Sequence, residues 1–298
     1  MGVMSFSEAA ERYERKLSDK GRKPDANKRS ILKRLKERIG DLPLDEIDRM
    51  YIDDLHAWLA TKETRTGGTY SVSTIAGHLA YLKAMLRWAN EAGKLEKVPV
   101  IKVPKGRQRH QFLEPKEVET LKDELDPWRR VLVDFALATG LRKTNCTHLR
   151  WDQLEKDYWE ICIEGEDTKN GNKFRAFLDE ETRELILKRL ARTNQLEEEF
   201  GWRSEFVFAR DHSNKPSTNV CSDGWRKAVA RAGLPPETCF HTLRHTFASW
   251  HARRGTPIEM LQELGGWSTL EQVKKYSHVG DDDKRRASRA LQGMYKRG

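Results

Sequence analysis

Apolar residues recur at helical spacing along most of the chain. Ile75, Leu79, Leu82, Met85, Leu86 and Ala89 mark one face of a helix from Ser73 to Asn90, and Gly93 ends it. Upstream, Ser5 and Glu8 form a capping-box pattern that opens a helix over Phe6–Leu17. A basic helix is predicted around Asp25–Ile39, stopped by Gly40, and Leu55, Trp58 and Leu59 stripe a third over Tyr51–Ala60. Residues 5–98 therefore read as four helices. Pro99, Pro104 and Gly106 then break the pattern, which makes 98–109 a linker carrying Lys102, Lys105, Arg107 and Arg109.

Helical spacing returns at Glu114–Leu125 and Trp128–Thr139, where Gly140 breaks the second run. The period then changes. Tyr158–Ile163 and Lys173–Leu178 read as strands joined through Lys169-Asn170-Gly171-Asn172, and Asn-Gly between β-prone runs signals a hairpin. Helices follow at Glu180–Phe200, Asn219–Arg231, His241–Arg254, Pro257–Leu264 and Leu270–Tyr276, with a last basic one through Lys284–Tyr295. The expected fold is mainly α with a small β insertion (α+β). It comprises a four-helix domain over 1–98, a basic linker over 99–111 and a second domain over 112–298. A chain of 298 residues fits two domains.

Charge adds a partner class. The chain carries 55 Lys+Arg against 46 Asp+Glu, a formal charge of +9. The first 110 residues hold 23 Lys+Arg and 15 Asp+Glu, so nearly all of the excess lies there. A polyanion, above all nucleic acid, is the expected partner. Lys28, Arg29, Lys33, Arg34, Lys36 and Arg38 on the second helix, with Lys105 and Arg107 in the linker, are candidate phosphate contacts. The same run on a helix is also what a solvated face looks like. No apolar run approaches the ~20 residues needed to span a bilayer, and the N-terminus lacks the apolar stretch of a secretory signal. Cys146, Cys162, Cys221 and Cys239 are dispersed without a CxxC pair, which points to free thiols in a reducing compartment. The expectation is a soluble, cytoplasmic protein with no membrane partner.

The candidate chemistry lies in the second domain. His241, Arg244 and His245 occupy positions i, i+3 and i+4, and so project from one side of a single helix. Tyr276 follows in a polar stretch of Lys274, Lys275, Ser277 and His278, where its hydroxyl is expected to be accessible. Cations that hold a phosphate, with a phenol to attack it, are what phosphoryl transfer without a metal needs. Arg142 begins a turn just after Gly140, and Lys169 places a further cation at the hairpin turn. Taken singly, each has an ordinary reading: a surface arginine, a solubilising lysine, a packed histidine or tyrosine.

As an ordered set, Ala138-Thr139-Gly140-Leu141-Arg142, Lys169, His241-x-x-Arg244-His245, Gly266-Trp267-Ser268 and Tyr276-Ser277-His278 resemble the tyrosine recombinase (phage integrase) family. The four N-terminal helices and Pro-rich linker are similar to that family's core-binding domain. The resemblance implies a site-specific recombinase that cleaves double-stranded DNA through a 3′-phosphotyrosyl bond, exchanges strands and religates. It implies no cofactor, neither ATP nor metal.

By resemblance, Arg142 and Arg244 hold the scissile phosphate, and Lys169 protonates the departing 5′ oxygen. His241 donates to the phosphate or accepts the phenolic proton, Trp267 supports the site, and Tyr276 attacks. Asn145 stands where the family commonly has an acid, so it orients His241 rather than acting as a base, and His245 is a supporting residue. The implied assembly is a homotetramer on two DNA sites, docked through the C-terminal tail and helped by accessory DNA-bending proteins, in a bacterial, phage or prophage setting. The chain opens on the core-binding helices, and the expectation is a recombinase that reads only its crossover site or one trimmed of a separate arm-binding domain. A DNA-binding regulator with a disabled site, or a type IB-like topoisomerase, shares enough of these features to remain an alternative.

Overall fold

The computed structural model describes residues 4–19, 26–64, 67–104, 111–165, 171, 173–276 and 288–289. It divides into two compact units, Met1–Gln108 and Arg109–Gly298.

The first unit is built from α1 (Phe6–Asp19), α2 (Ala26–Ile39), α3 (Arg49–Ala60) and α4 (Val72–Glu91). The starts of α1, α3 and α4 have local causes. Ser5 and Glu8 cap α1 reciprocally, with both bonds at 3.3 Å. Asp48 accepts from the Tyr51 amide at α3, and Ser71 accepts from Thr74 at α4. The long α4 is the centre of the unit. Its Leu79, Leu82, Met85 and Leu86 are fully buried and meet Phe6, Leu35, Leu55 and Leu59 from the other three helices. A short 3-10 turn, Leu44–Glu46, adds Leu44 to the same core. The stretch after α4 joins in too, because Ile101 is buried in this core. Lys105 and Arg107 lie outside the described residues.

On α2 the burial of Ile31, Leu32, Leu35 and Ile39 turns the basic positions outward. Lys28, Arg29, Lys33 and Arg38 are exposed. Arg34 and Lys36 are half-buried and paired with Glu37 at 2.8 Å and Glu11 at 3.3 Å. The basic run therefore separates into an outward set and a set engaged within the unit.

The second unit orders α5 (Pro115–Asp123), α6 (Pro127–Thr139), α7 (Lys143–Thr147), β1 (Leu154–Glu155), β2 (Glu160–Ile163), β3 (Phe174–Phe177), α8 (Glu180–Phe200), α9 (Asp223–Arg231), α10 (Phe240–Arg253), α11 (Ile258–Gly265) and α12 (Glu271–Lys274). The chain is thus mainly helical with one small antiparallel sheet, in the order β1-β2-β3. α10 packs along α6 in the interior, with Phe240 and Leu243 buried against Phe135, Ala136 and Trp225. Polar groups pin it there. The Leu113 amide donates to Thr246 Oγ1 at 2.9 Å, and Trp250 Nε1 donates to the Leu113 carbonyl at 3.0 Å.

Three sequence expectations change. Tyr158 and Trp159 belong to the turn before β2, because Lys156, Asp157 and Tyr158 all take positive φ values that no strand uses. The helix expected over Leu270–Tyr276 shortens to α12, which leaves Tyr276 in the turn beyond it. The helix expected from Asn219 begins at Asp223, because the Val220 carbonyl and Ser222 hydroxyl are taken by the buried Arg129. Lys169 and nearly all of the basic segment expected as the last helix lie outside the described residues. All four cysteines are free thiols. Among the described residues, no helix is long and apolar enough to cross a membrane.

Candidate active site

The site begins where α6 stops. Gly140 takes the left-handed conformation, φ 62°, that ends this helix, and a Cβ there would overlap the Phe247 ring of α10. The turn buries Leu141 and delivers Arg142 to the N-cap of α7. The freed Gly140 carbonyl accepts from Arg244 Nη1 at 2.5 Å. One glycine thus joins the α6–α7 corner to α10 and sets the two arginines side by side.

Arg244 is only 3% exposed. Its Nη2 is buried with no hydrogen-bond partner among the described residues. Burial, and then the charge of Arg142, push its guanidinium down to about 10, against the opposing pull of Tyr276 and Cys146. Burial lowers Arg142 as well. Two desolvated guanidiniums with an unused donor are poorly satisfied by the protein alone, and an anion between them would relieve both deficits.

Trp267 supplies the floor. Its ring lies under the Arg244 guanidinium at 4.0 Å and beside the Tyr276 ring at 5.9 Å, so one indole supports cation and phenol together. Gly266, with φ 61°, aims Trp267, and its carbonyl accepts from Arg142 Nη2 at 3.4 Å. A side chain at Gly266 would collide with Phe174 of β3.

Tyr276 is buried, at 5% exposure, which corrects the expectation of an accessible hydroxyl. Lys274 is exposed and the Lys275 ammonium lies over the Tyr276 ring at 5.1 Å, while that ring joins Phe247, Leu261, Trp267 and Val273 in a small apolar cluster. Burial pushes the phenol up to about 12, with Arg244 pulling the other way. The hydroxyl is hydrogen-bonded to Nδ1 of His245. His241 is exposed at the start of α10, and its ring meets that of His245 edge-on at 4.6 Å. Asn145 is half-buried on α7, and no hydrogen bond joins it to His241.

Arg142, Arg244, Asn145 and Trp267 line an open cleft of about 470 Å³. Its other wall is Lys173 with β3 and α11, through Phe174, Arg175, Phe177 and Met260. Lys173, Arg175 and Phe177 were not singled out in the sequence. Their alternation was the available signal, since residues at i, i+2 and i+4 share a strand face. Lys173 is paired with Glu164 at 2.7 Å and Arg175 with Glu160 at 3.5 Å. Tyr276 is one side chain removed from this cleft, in contact with Trp267 and under the influence of Arg244, both of which line it.

Comparison with known proteins identifies the family of the chain. Residues 111–283 match the model of the phage integrase family, and residues 5–103 match a phage integrase SAM-like domain. The integrase of Salmonella phage P22 is 33% identical over 238 residues, which is 76% of this chain and 59% of that protein. This chain therefore spans less than two thirds of that relative's length. Tyrosine recombinase XerC of Lactobacillus delbrueckii subsp. bulgaricus is 28% identical over 251 residues, 79% of each chain. In fold, a lambda integrase (75-356) dimer bound to a COC' core site superposes with a TM-score of 0.72 at 18% identity, covering 99% of both chains. The Tn1549 transposon integrase in complex with transposon right end DNA gives 0.67 at 18% identity, covering 97% of this chain and 99% of that one. Matched in sequence over both units and in fold over nearly its whole length, the chain belongs to the phage integrase family, the tyrosine-type site-specific recombinases.

Proposed function

We propose that this protein is a site-specific DNA recombinase that cleaves and rejoins double-stranded DNA through a 3′-phosphotyrosyl intermediate. The observation that carries the reading is the buried Arg244, with an unused donor, beside Arg142 and one ring away from Tyr276. The two guanidiniums hold the non-bridging oxygens of a scissile phosphate and stabilise the charge of its pentacoordinate transition state. Tyr276 attacks phosphorus, and the 5′ oxygen leaves with a proton from Lys169. The phosphotyrosyl bond conserves the energy of the backbone link, so religation needs no ATP. The two fixed cations supply the charge stabilisation for which a metal ion is otherwise used.

Residues 1–98 serve as a core-binding domain and 112–298 as the catalytic domain. The named partners of the similar structures support DNA as the substrate and a dimer or tetramer as the working form. Those structures are a lambda integrase dimer on a core site and a lambda integrase tetramer bound to a Holliday junction. Assembly of this chain into a tetramer on two sites belongs to the same proposal.

The direct test uses a nicked suicide duplex carrying the crossover site, followed by denaturing electrophoresis. A covalent protein–DNA band is expected. Specific binding without such a band would leave a DNA-binding regulator instead. The outward cations of α2 give a second measurement. Replacing Arg29 and Lys33 with alanine is expected to reduce the slope of log affinity against log salt by about 2, one for each lost phosphate contact. An unchanged slope would remove this face from the DNA interface.

A further inference from the structure

We infer that His245 takes the proton from the Tyr276 hydroxyl as the tyrosine attacks, which makes it a catalytic residue beside the two arginines. The inference rests on the recombinase reading above. Nδ1 of His245 is hydrogen-bonded to the Tyr276 hydroxyl, and the two rings lie 5.6 Å apart. A neutral imidazole with its proton on Nε2 presents Nδ1 as the acceptor for a phenol that donates.

The placement of His245 suits the task. It follows Arg244 directly, so a single turn of α10 fixes the proton acceptor relative to the phosphate ligand. That turn is held firmly. The Cys239 amide donates to Thr242 Oγ1 at 3.1 Å, Thr246 Oγ1 donates to the Thr242 carbonyl at 2.9 Å, and the Leu113 amide donates to Thr246. Tyr276 lies between His245 and Trp267 with 5% of its surface open, so solvent has little access to its hydroxyl. A phenol ordinarily titrates far above neutrality and burial raises this one further, so attack at neutral pH needs an acceptor already in place.

The step balances. As the phenolic oxygen forms its bond to phosphorus, its proton passes to Nδ1 and His245 becomes an imidazolium. The bond from phosphorus to the 5′ oxygen breaks, and that oxygen takes the proton proposed to come from Lys169. During religation the 5′ hydroxyl attacks, and the imidazolium returns its proton to the departing tyrosine.

A bond that merely parked the tyrosine would have the opposite signature, with faster cleavage once it is broken. The test is single-turnover cleavage of a nicked suicide duplex with a 5′-bridging sulfur, whose thiolate leaves without an acid and so isolates the proton transfer from Tyr276. His245→Gln keeps a hydrogen-bonding side chain that cannot take a proton, and it is expected to cleave about 10²-fold more slowly or worse with DNA affinity retained. His245→Ala is expected to be equally slow and to regain rate when imidazole is added to the buffer. Unchanged or faster cleavage by His245→Gln overturns the inference, as does failure of imidazole to rescue a His245→Ala protein that binds DNA normally. If the wild-type protein itself forms no covalent complex, the recombinase reading falls and takes this inference with it.

Discussion

Tyr276→Phe is expected to abolish the covalent protein–DNA band, a loss of more than about 10⁴-fold, while DNA affinity stays close to that of the wild type. The change removes one oxygen and nothing else. The ring keeps its place against Trp267, Val273 and Leu261, so the apolar cluster that it completes is preserved. The structural loss includes the hydrogen bond to His245, worth on the order of 1 kcal/mol. Cleavage and folding therefore separate cleanly in this variant. A persistent covalent band would reassign the nucleophile, and lost DNA binding would show that the phenol has a structural role this geometry does not assign to it.

Arg244→Met is expected to slow cleavage by about 10³–10⁵-fold without lowering the melting temperature. The functional half follows from the loss of a fixed cation at the phosphate. The stability half is less intuitive and follows from the depressed pKa. A guanidinium at about 10 in the folded protein, against an ordinary 12.5, is one whose charged form burial disfavours. The sign is that of a base lowered by folding. The full cost is present at neutral pH, and it is relieved only as pH rises from about 10 towards the unfolded value. Methionine fills similar space over the Trp267 ring and removes both the charge and the unpartnered donor. Against this stand the lost bond to the Gly140 carbonyl and the lost cation–π contact with the Trp267 ring, which the methionine thioether replaces only in part. Thermal melts of the two proteins without DNA decide the matter, and a fall of many degrees for Arg244→Met would show that the arginine stabilises the fold.

The helices were largely legible in the sequence because their causes are local. The Ser5–Glu8 capping box, the apolar stripe of α4 and the glycine that stops α6 all act within a turn or two. The arginine and histidine cluster was legible for the same reason, since helical spacing alone puts His241, Arg244 and His245 on one side. What those side chains meet was not. His245 reads as a supporting residue until Tyr276, 31 positions later, arrives at its Nδ1. Tyr276 reads as accessible because Lys274 and Lys275 flank it, yet burial is decided by Phe247 and Trp267, which approach from other elements. Strand alternation put Lys173, Arg175 and Phe177 together, but it does not say that their shared face closes the cleft opposite Arg142. The bend at Lys156, Asp157 and Tyr158 also left no mark, because three successive left-handed residues without glycine contradict every local preference.

Gly266 sets how far this site can drift in evolution. Its carbonyl is engaged by Arg142, its α-carbon faces Phe174, and its backbone angle aims the next residue beneath Arg244. Even a methyl group there would meet the Phe174 ring and strain the backbone turn that holds Arg142 through its carbonyl and places Trp267 beneath Arg244. The residues that carry charge and chemistry are thus held to their positions by one that has no side chain to vary.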